Sequence, residues 1–88
     1  MAAELNYEWI RELEKLNGVV HLPFERIELK SVEIYNEYWC IIKVETQDDR
    51  TLYCCCHESG FNDCFNILKS NEYVMVIILT NKFILKIN

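Results

Sequence analysis

The net charge of this 88-residue chain is confined to its first half, and this limits where a core can form. Residues 1–50 carry 11 Asp or Glu against 6 Lys or Arg, whereas residues 51–88 carry 3 of each. The second half is largely apolar, so it must supply much of the core, while the first half supplies an acidic surface. Because the chain has 2 Gly and 1 Pro, it has little material for a linker, and we expect a single domain over residues 1–88.

Apolar side chains at helical spacing predict two helices. The first spans residues 4–16, with a stripe formed by Leu5, Trp9, Ile10, Leu13 and Leu16. The second follows Ser59, which is a plausible N-cap, and its stripe is formed by Phe61, Cys64, Phe65 and Leu68. We therefore expect one helix near the start of the chain and one in its second half.

Alternating and continuous apolar segments predict the strands. Residues 24–35 alternate, but the phase changes at Lys30-Ser31, which indicates a bulge or a break. After a turn at Asn36-Glu37, residues 38–46 and 51–57 are expected to form a hairpin, and residues 73–79 and 83–87 two further strands. The predicted fold class is α+β, a small antiparallel sheet of about five strands with two helices in the order α-β-β-β-α-β-β.

Several classes of protein are disfavoured by the composition. The longest apolar run has seven residues, whereas a membrane-spanning helix needs about 20, and no secretion signal is evident, so we expect a cytoplasmic protein, in the host cytoplasm if the chain is viral. A net charge of −5 disfavours direct binding to nucleic acid, because phosphate contacts need Lys and Arg. No catalytic or phosphate-binding motif is present, so we predict neither an enzyme nor a bound cofactor.

Five cysteines permit several interpretations. A zinc site could be assembled from Cys54, Cys56, His57 and Cys64, but their spacing does not match the usual pairs of ligands. On a strand, Cys54 and Cys56 point to one face, whereas Cys55 and His57 point to the other. We expect small buried hydrophobic residues rather than a metal or redox site, which stays an alternative.

The segment with the clearest candidate for binding is residues 32–41. Glu33, Tyr35, Glu37 and Trp39 share one parity there, so an extended chain would place acids and large aromatics on one face. Tyr and Trp are frequent in interface hot spots, and acids around them would select a basic partner. Glu8 and Glu12 of the first predicted helix could extend this face. The alternative is that Tyr35 and Trp39 belong to a second small core.

These patterns predict a small acidic protein that binds another protein through a basic surface of that partner. One such class is the phage or mobile-element inhibitor of a host nucleic-acid enzyme, of the anti-CRISPR or anti-defence type, which would cover a basic channel with carboxylates. A second hypothesis is a structural subunit that forms homodimers or larger oligomers through an apolar hairpin over residues 73–87.

Overall fold

The computed structural model describes residues 24–85, which form a five-stranded barrel and one helix. A short 3₁₀ turn, Glu58–Gly60, leads directly into helix α1, Phe61–Lys69. The strands are β1 (Glu25–Asn36), β2 (Ile41–Thr46), β3 (Thr51–Cys55), β4 (Tyr73–Leu79) and β5 (Lys82–Leu85). The helix predicted over residues 4–16 lies outside the described residues.

The sheet closes on itself in the order β1-β2-β3-β5-β4, with β4 paired back to β1. Four of the five pairings are antiparallel, and β3 runs parallel to β5 where Tyr53 faces Lys82. The predicted α+β arrangement, a small antiparallel sheet with two helices, is therefore wrong, because the described residues form a closed barrel with one short helix. Closure depends on pairings between strands that are distant in sequence, and local patterns do not encode such pairings.

Strand β1 takes part in both sides of the closure. Its first residues, Glu25–Glu28, pair with β4, and its later residues pair with β2. The register shifts between Leu29 and Ser31, which confirms the bulge predicted at Lys30-Ser31. A bulge bends a strand and increases its twist, so β1 can turn from one neighbour to the other.

The barrel interior is filled by alternate side chains of the strands. Neighbouring positions that point inward on β1, β2 and β3 are Val32, Val44 and Leu52, which are paired in register. The main core consists of Ile27, Ile42, Val44, Leu52, Cys54, Phe61, Cys64, Leu68, Val74, Val76, Phe83 and Leu85. Ile77 and Ile84 form a second cluster, against which Cys55 and Leu79 pack.

Helix α1 joins β3 to β4 and contributes to the same core. Three members of the predicted stripe are buried, Phe61, Cys64 and Leu68, and the fourth, Phe65, is partly buried against the same core. The predicted cap is wrong, because Gly60 occupies the N-cap position and His57 caps the 3₁₀ turn by accepting a hydrogen bond from the Ser59 backbone N–H. Asp63 in the first turn and Lys69 in the last complement the helix dipole.

Three tight turns connect the antiparallel neighbours, and each contains a non-glycine residue with positive φ. These residues are Cys40 between β1 and β2, Asp49 between β2 and β3, and Thr80 between β4 and β5. The hairpin of β2 and β3 across residues 47–50 is confirmed. The predicted strand over residues 38–46 begins too early, since Tyr38, Trp39 and Cys40 belong to the first of these turns.

Candidate functional site

The turn between β1 and β2 is held by two hydrogen bonds that backbone N–H groups of the turn donate. The Asn36 side-chain oxygen accepts a hydrogen bond from the Trp39 backbone N–H at 2.9 Å, and the Glu37 carbonyl accepts one from the Cys40 backbone N–H at 3.3 Å. Asn is suited to this role because its side chain imitates a backbone turn. The turn is therefore fixed by these hydrogen bonds, independently of where its two aromatic side chains point.

Those side chains are exposed to solvent. Tyr38 is 83% exposed, Trp39 is 65% exposed, and Tyr35 at the end of β1 is 59% exposed. The rings of Tyr38 and Trp39 meet edge to face with centroids 5.0 Å apart. We call Glu33, Tyr35, Glu37, Tyr38 and Trp39 together the aromatic–acidic surface. Large aromatic side chains are usually buried, so two exposed ones on this turn and a third at the end of the preceding strand indicate a contact surface.

A tyrosine from a third strand supports this surface. Tyr53 on β3 is partly buried, and its ring lies 5.1 Å from that of Tyr35 at an angle of 66°. Edge-to-face pairs of this kind stabilise the position of both rings. Tyr35 is thus held in place from one side while its other surface stays open.

The charges of this region are predominantly negative. Lys43 on β2 faces Glu33 across the sheet, and their charged atoms are 3.5 Å apart. The Glu37 carboxylate lies in the turn itself, and it forms no ion pair among residues 24–85. A cation approaching the two turn aromatics therefore meets an uncompensated carboxylate.

The structure brings four of the six predicted partner-binding residues to one end of the barrel. Glu33, Tyr35, Glu37 and Trp39 are all exposed around the end of β1. They do not lie along one extended strand as the parity pattern predicts, because residues 37–40 turn. Glu8 and Glu12 lie outside the described residues. The alternative of a small core around Tyr35 and Trp39 does not agree with their exposure.

The sequence placed Tyr38 alongside the predicted face but assigned it to a strand, although the adjacent Asn36-Glu37 turn signal could have extended to it. The contribution of Tyr53 was not predicted. Tyr53 lies 18 positions after Tyr35, and no local pattern reports that the two rings meet. Only the pairing of β1 with β2 and of β2 with β3 brings them together.

A second cluster of chemically distinctive groups lies inside the barrel. The sulfur of Cys54 is 3.7 Å from that of Cys56 and 3.8 Å from that of Cys64. Cys54 lies on β3, and Cys56 directly after that strand brings its sulfur to the same side, as predicted, while Cys64 comes from the buried stripe of α1. His57, the fourth weak candidate, is not in the cluster, since its Nδ1 contacts the Ser59 hydroxyl at 2.8 Å.

These thiols are poor nucleophiles. The hydrogen bond with Cys54, together with burial, raises the pKa of the Cys56 thiol well above its ordinary value. At Cys64 the contact with Cys54 lowers the pKa, but the contact with Cys56 and burial outweigh it and raise the pKa overall. Burial also raises the pKa of Cys40, as do the charges of Glu58 and Glu37. A reactive cysteine needs the opposite shift, because the thiolate is the attacking species.

A shallow polar groove lies at the other end of β2, beside the β2–β3 turn. It has a volume of about 330 Å³ and is lined by Arg26, Glu28, Gln47, Asp48 and Arg50. The Arg50 guanidinium already pairs with Glu25 at 3.0 Å and with Asp48 at 2.8 Å. The charge of Arg50 in this groove is therefore already compensated by two carboxylates.

Comparison with protein-family models, with curated proteins and with solved structures finds no match to this chain. Within the described residues, no helix has the length and apolar character needed to cross a membrane. The physical properties of the barrel are therefore the basis for a functional proposal.

Proposed function

We propose that this protein is a non-enzymatic binding module that uses the aromatic–acidic surface to engage a protein partner with a basic surface. The observation that carries the proposal is the exposure of Tyr35, Tyr38 and Trp39 by more than half at one end of the barrel. Aromatic residues provide large contact areas at low cost in side-chain entropy, and they dominate the energetics of many interfaces.

The position of this surface also supports binding. A barrel of five strands is also the architecture of the OB-fold. OB-folds bind their ligands on the face of β2 and β3 and with the loops between β1 and β2 and between β4 and β5. Tyr38 and Trp39 lie in the first of these loops, and Tyr53 lies on β3. The similarity is limited to architecture. It therefore supports the position of the binding surface on the barrel and says nothing about which ligand is bound.

Charge favours a protein partner over a nucleic acid. OB-folds that bind single strands combine aromatic platforms with a positively charged groove. Here Lys43 is paired with Glu33, and the carboxylate of Glu37, two positions before Trp39, forms no ion pair among residues 24–85. Phosphates would be repelled, whereas Lys or Arg side chains of a protein could contact both the rings and the carboxylates.

The basic partner could be a nucleic-acid enzyme, in which case the module would inhibit it by occupying the channel for its substrate. We include a cytoplasmic location in the same proposal. The neighbouring thiols of Cys54, Cys56 and Cys64 are reduced, and reduced thiols persist in a reducing compartment. The alternative of assembly through the hairpin of β4 and β5 is less favoured. In the barrel β4 also pairs with β1 and β5 also pairs with β3, so the hairpin is not a simple unpaired edge.

The first test is a capture experiment with three baits: the wild-type chain, Trp39→Ala and Tyr73→Ala. Tyr73 is a matched control, because it is 47% exposed and lies on β4, outside the aromatic–acidic surface. We expect one basic protein to be retained by the wild-type and Tyr73→Ala baits. With that protein purified, Trp39→Ala should weaken binding by about 30-fold, since a hot-spot residue contributes about 2 kcal/mol.

Two results would contradict the proposal. If Trp39→Ala retains the partner as well as wild type does, the aromatic–acidic surface is not the interface. If retention depends on nucleic acid and disappears after nuclease treatment, the ligand is an oligonucleotide, and the charge argument fails. Far-UV circular dichroism of both variants checks that each barrel is folded.

A further inference from the structure

The three thiols of the cysteine cluster lie close enough together in the fold to bind one metal ion, although their spacing along the sequence is unusual for zinc ligands. The Sγ atoms of Cys54, Cys56 and Cys64 all lie within 4.8 Å of one another. In residues 24–85 no other group of three His, Cys, Asp or Glu side chains converges in this way. Cys54 lies on β3, Cys56 directly follows that strand and donates its backbone N–H to the Cys40 carbonyl at 3.0 Å, and Cys64 lies on α1.

The distances suit a tetrahedral metal ion. Zinc binds thiolate sulfur at about 2.3 Å, so two sulfurs of a tetrahedral site are about 3.8 Å apart. The Cys54–Cys56 and Cys54–Cys64 sulfur separations are 3.7 Å and 3.8 Å. Two of the three sulfur pairs therefore stand at the separation of a tetrahedral site, and the third pair, Cys56 and Cys64, lies within 4.8 Å.

We propose that Cys54, Cys56 and Cys64 form a three-thiolate site for a divalent thiophilic ion of the zinc class. Three sulfur donors select soft or borderline ions over Mg²⁺ or Ca²⁺, which take oxygen ligands. A divalent ion leaves one net negative charge on the site, whereas a monovalent ion leaves two, and buried charge is costly. On binding, the ion replaces the three thiol protons, which pass to solvent.

The fourth coordination position belongs to water or to an external ligand. His57 is not a candidate in the observed arrangement, because neither of its ring nitrogens converges with the three sulfurs. Cys54 and Cys64 are buried, whereas Cys56 is partly exposed, so the Cys56 side offers the path of entry. Three protein ligands with one open position are the arrangement of zinc sites that bind small molecules or activate water.

The test uses the full reduced chain and Cd²⁺ as a spectroscopic probe for Zn²⁺. Titration should produce the ultraviolet sulfur-to-metal charge-transfer band, which saturates at one ion per chain, and native mass spectrometry should give the same stoichiometry. Zn²⁺ added to the metal-free chain should bind with the same stoichiometry. Bound metal should also protect Cys56 from a thiol-modifying reagent.

Consecutive cysteines supply a matched control. Cys55 is partly buried like Cys56, but it packs against the Ile77 and Ile84 cluster and is not one of the three converging thiols. Cys56→Ala should weaken Cd²⁺ affinity by at least about tenfold, while Cys55→Ala should leave it unchanged. Circular dichroism establishes that each variant is folded.

The proposal is overturned if the reduced wild-type chain gives no charge-transfer band. It is also overturned if Cys55→Ala and Cys56→Ala lose metal equally, since binding would then be nonspecific to the thiols. The wild-type stoichiometry decides the question even if a variant fails to fold. None of these outcomes depends on the partner binding proposed above.

Discussion

Three residues, Thr46, Asp48 and Arg50, hold the turn between β2 and β3 together through a network of hydrogen bonds. The hydroxyl of Thr46 is buried, donates a hydrogen bond to the Asp48 carboxylate and accepts one from the Arg50 backbone N–H at 2.9 Å. The Arg50 Nε in turn donates to both Asp48 carboxylate oxygens at 3.0 Å. Hydrogen bonds from Arg50 and Thr46 lower the pKa of Asp48.

This lowered pKa predicts a pH dependence of stability. Because Asp48 is a stronger acid in the folded chain, its stabilising contribution is present above its ordinary pKa and is lost as the pH falls through the folded value. Between about pH 5 and about pH 2, the wild-type free energy of unfolding should therefore fall more steeply than that of Asp48→Asn.

Denaturant melts at several pH values measure this difference. Asp49→Asn is the matched control, because Asp49 lies in the same turn and its carboxylate is in none of the ion pairs among residues 24–85. Equal slopes for wild type and Asp48→Asn would mean that the network adds no pH-dependent stability.

At the scale of elements, the spacing of apolar and polar residues predicted those features that depend on neighbouring residues alone. The bulge at Lys30-Ser31, the hairpin turn after Thr46 and the buried stripe of α1 were all predicted correctly. Turn geometry at residues 37–40 was predicted incompletely, because alternation of Tyr38 with Cys40 imitates a strand. The left-handed conformation of Cys40, with φ of 53°, ends that alternation and is not encoded by its side chain.

Helix α1 should stabilise the barrel chiefly through Leu68. This side chain is completely buried in the main core, so Leu68→Ala leaves a cavity and should cost about 2–5 kcal/mol. The matched control is Asn62→Ala on the exposed face of the same helix, which should change stability by less than about 0.5 kcal/mol. Chemical denaturation monitored by circular dichroism compares the two, and similar losses would show that α1 does not anchor the core.

At the scale of the whole molecule, the order of the strands in the barrel could not be predicted from the sequence. Pairing of β1 with β4 and of β3 with β5 joins positions that no short-range pattern relates. The candidate site had the same limit: Tyr35 and Trp39 could be proposed from composition, whereas the ring contact of Tyr35 with Tyr53 required the fold. Likewise, β3 predicts that Cys54 and Cys56 share a face, but only the packing of α1 adds Cys64.

The overall charge of −5 leads to a kinetic prediction for the proposed complex. Attraction between an acidic module and a basic partner accelerates encounter at low salt and is screened as the Debye length shortens to about 8 Å near 0.15 M salt. The association rate constant should therefore fall with added salt much more than the dissociation rate constant rises. Surface plasmon resonance at several salt concentrations measures both, and an association rate that does not depend on salt would contradict a basic partner.

The extra residue in β1 also determines how the length of this chain can change. Side chains alternate with a period of two before the bulge at residues 29–31 and again from Ser31 to Ile34, after which the register shifts a second time, so the parts of β1 on either side of the first bulge are set in phase independently. Deleting one residue there would turn one half inside out, and either Ile27 or Val32 would exchange its place with a polar neighbour. The turns have no such parity to preserve, so lineages of this sequence should gain and lose residues between strands but keep the length of β1.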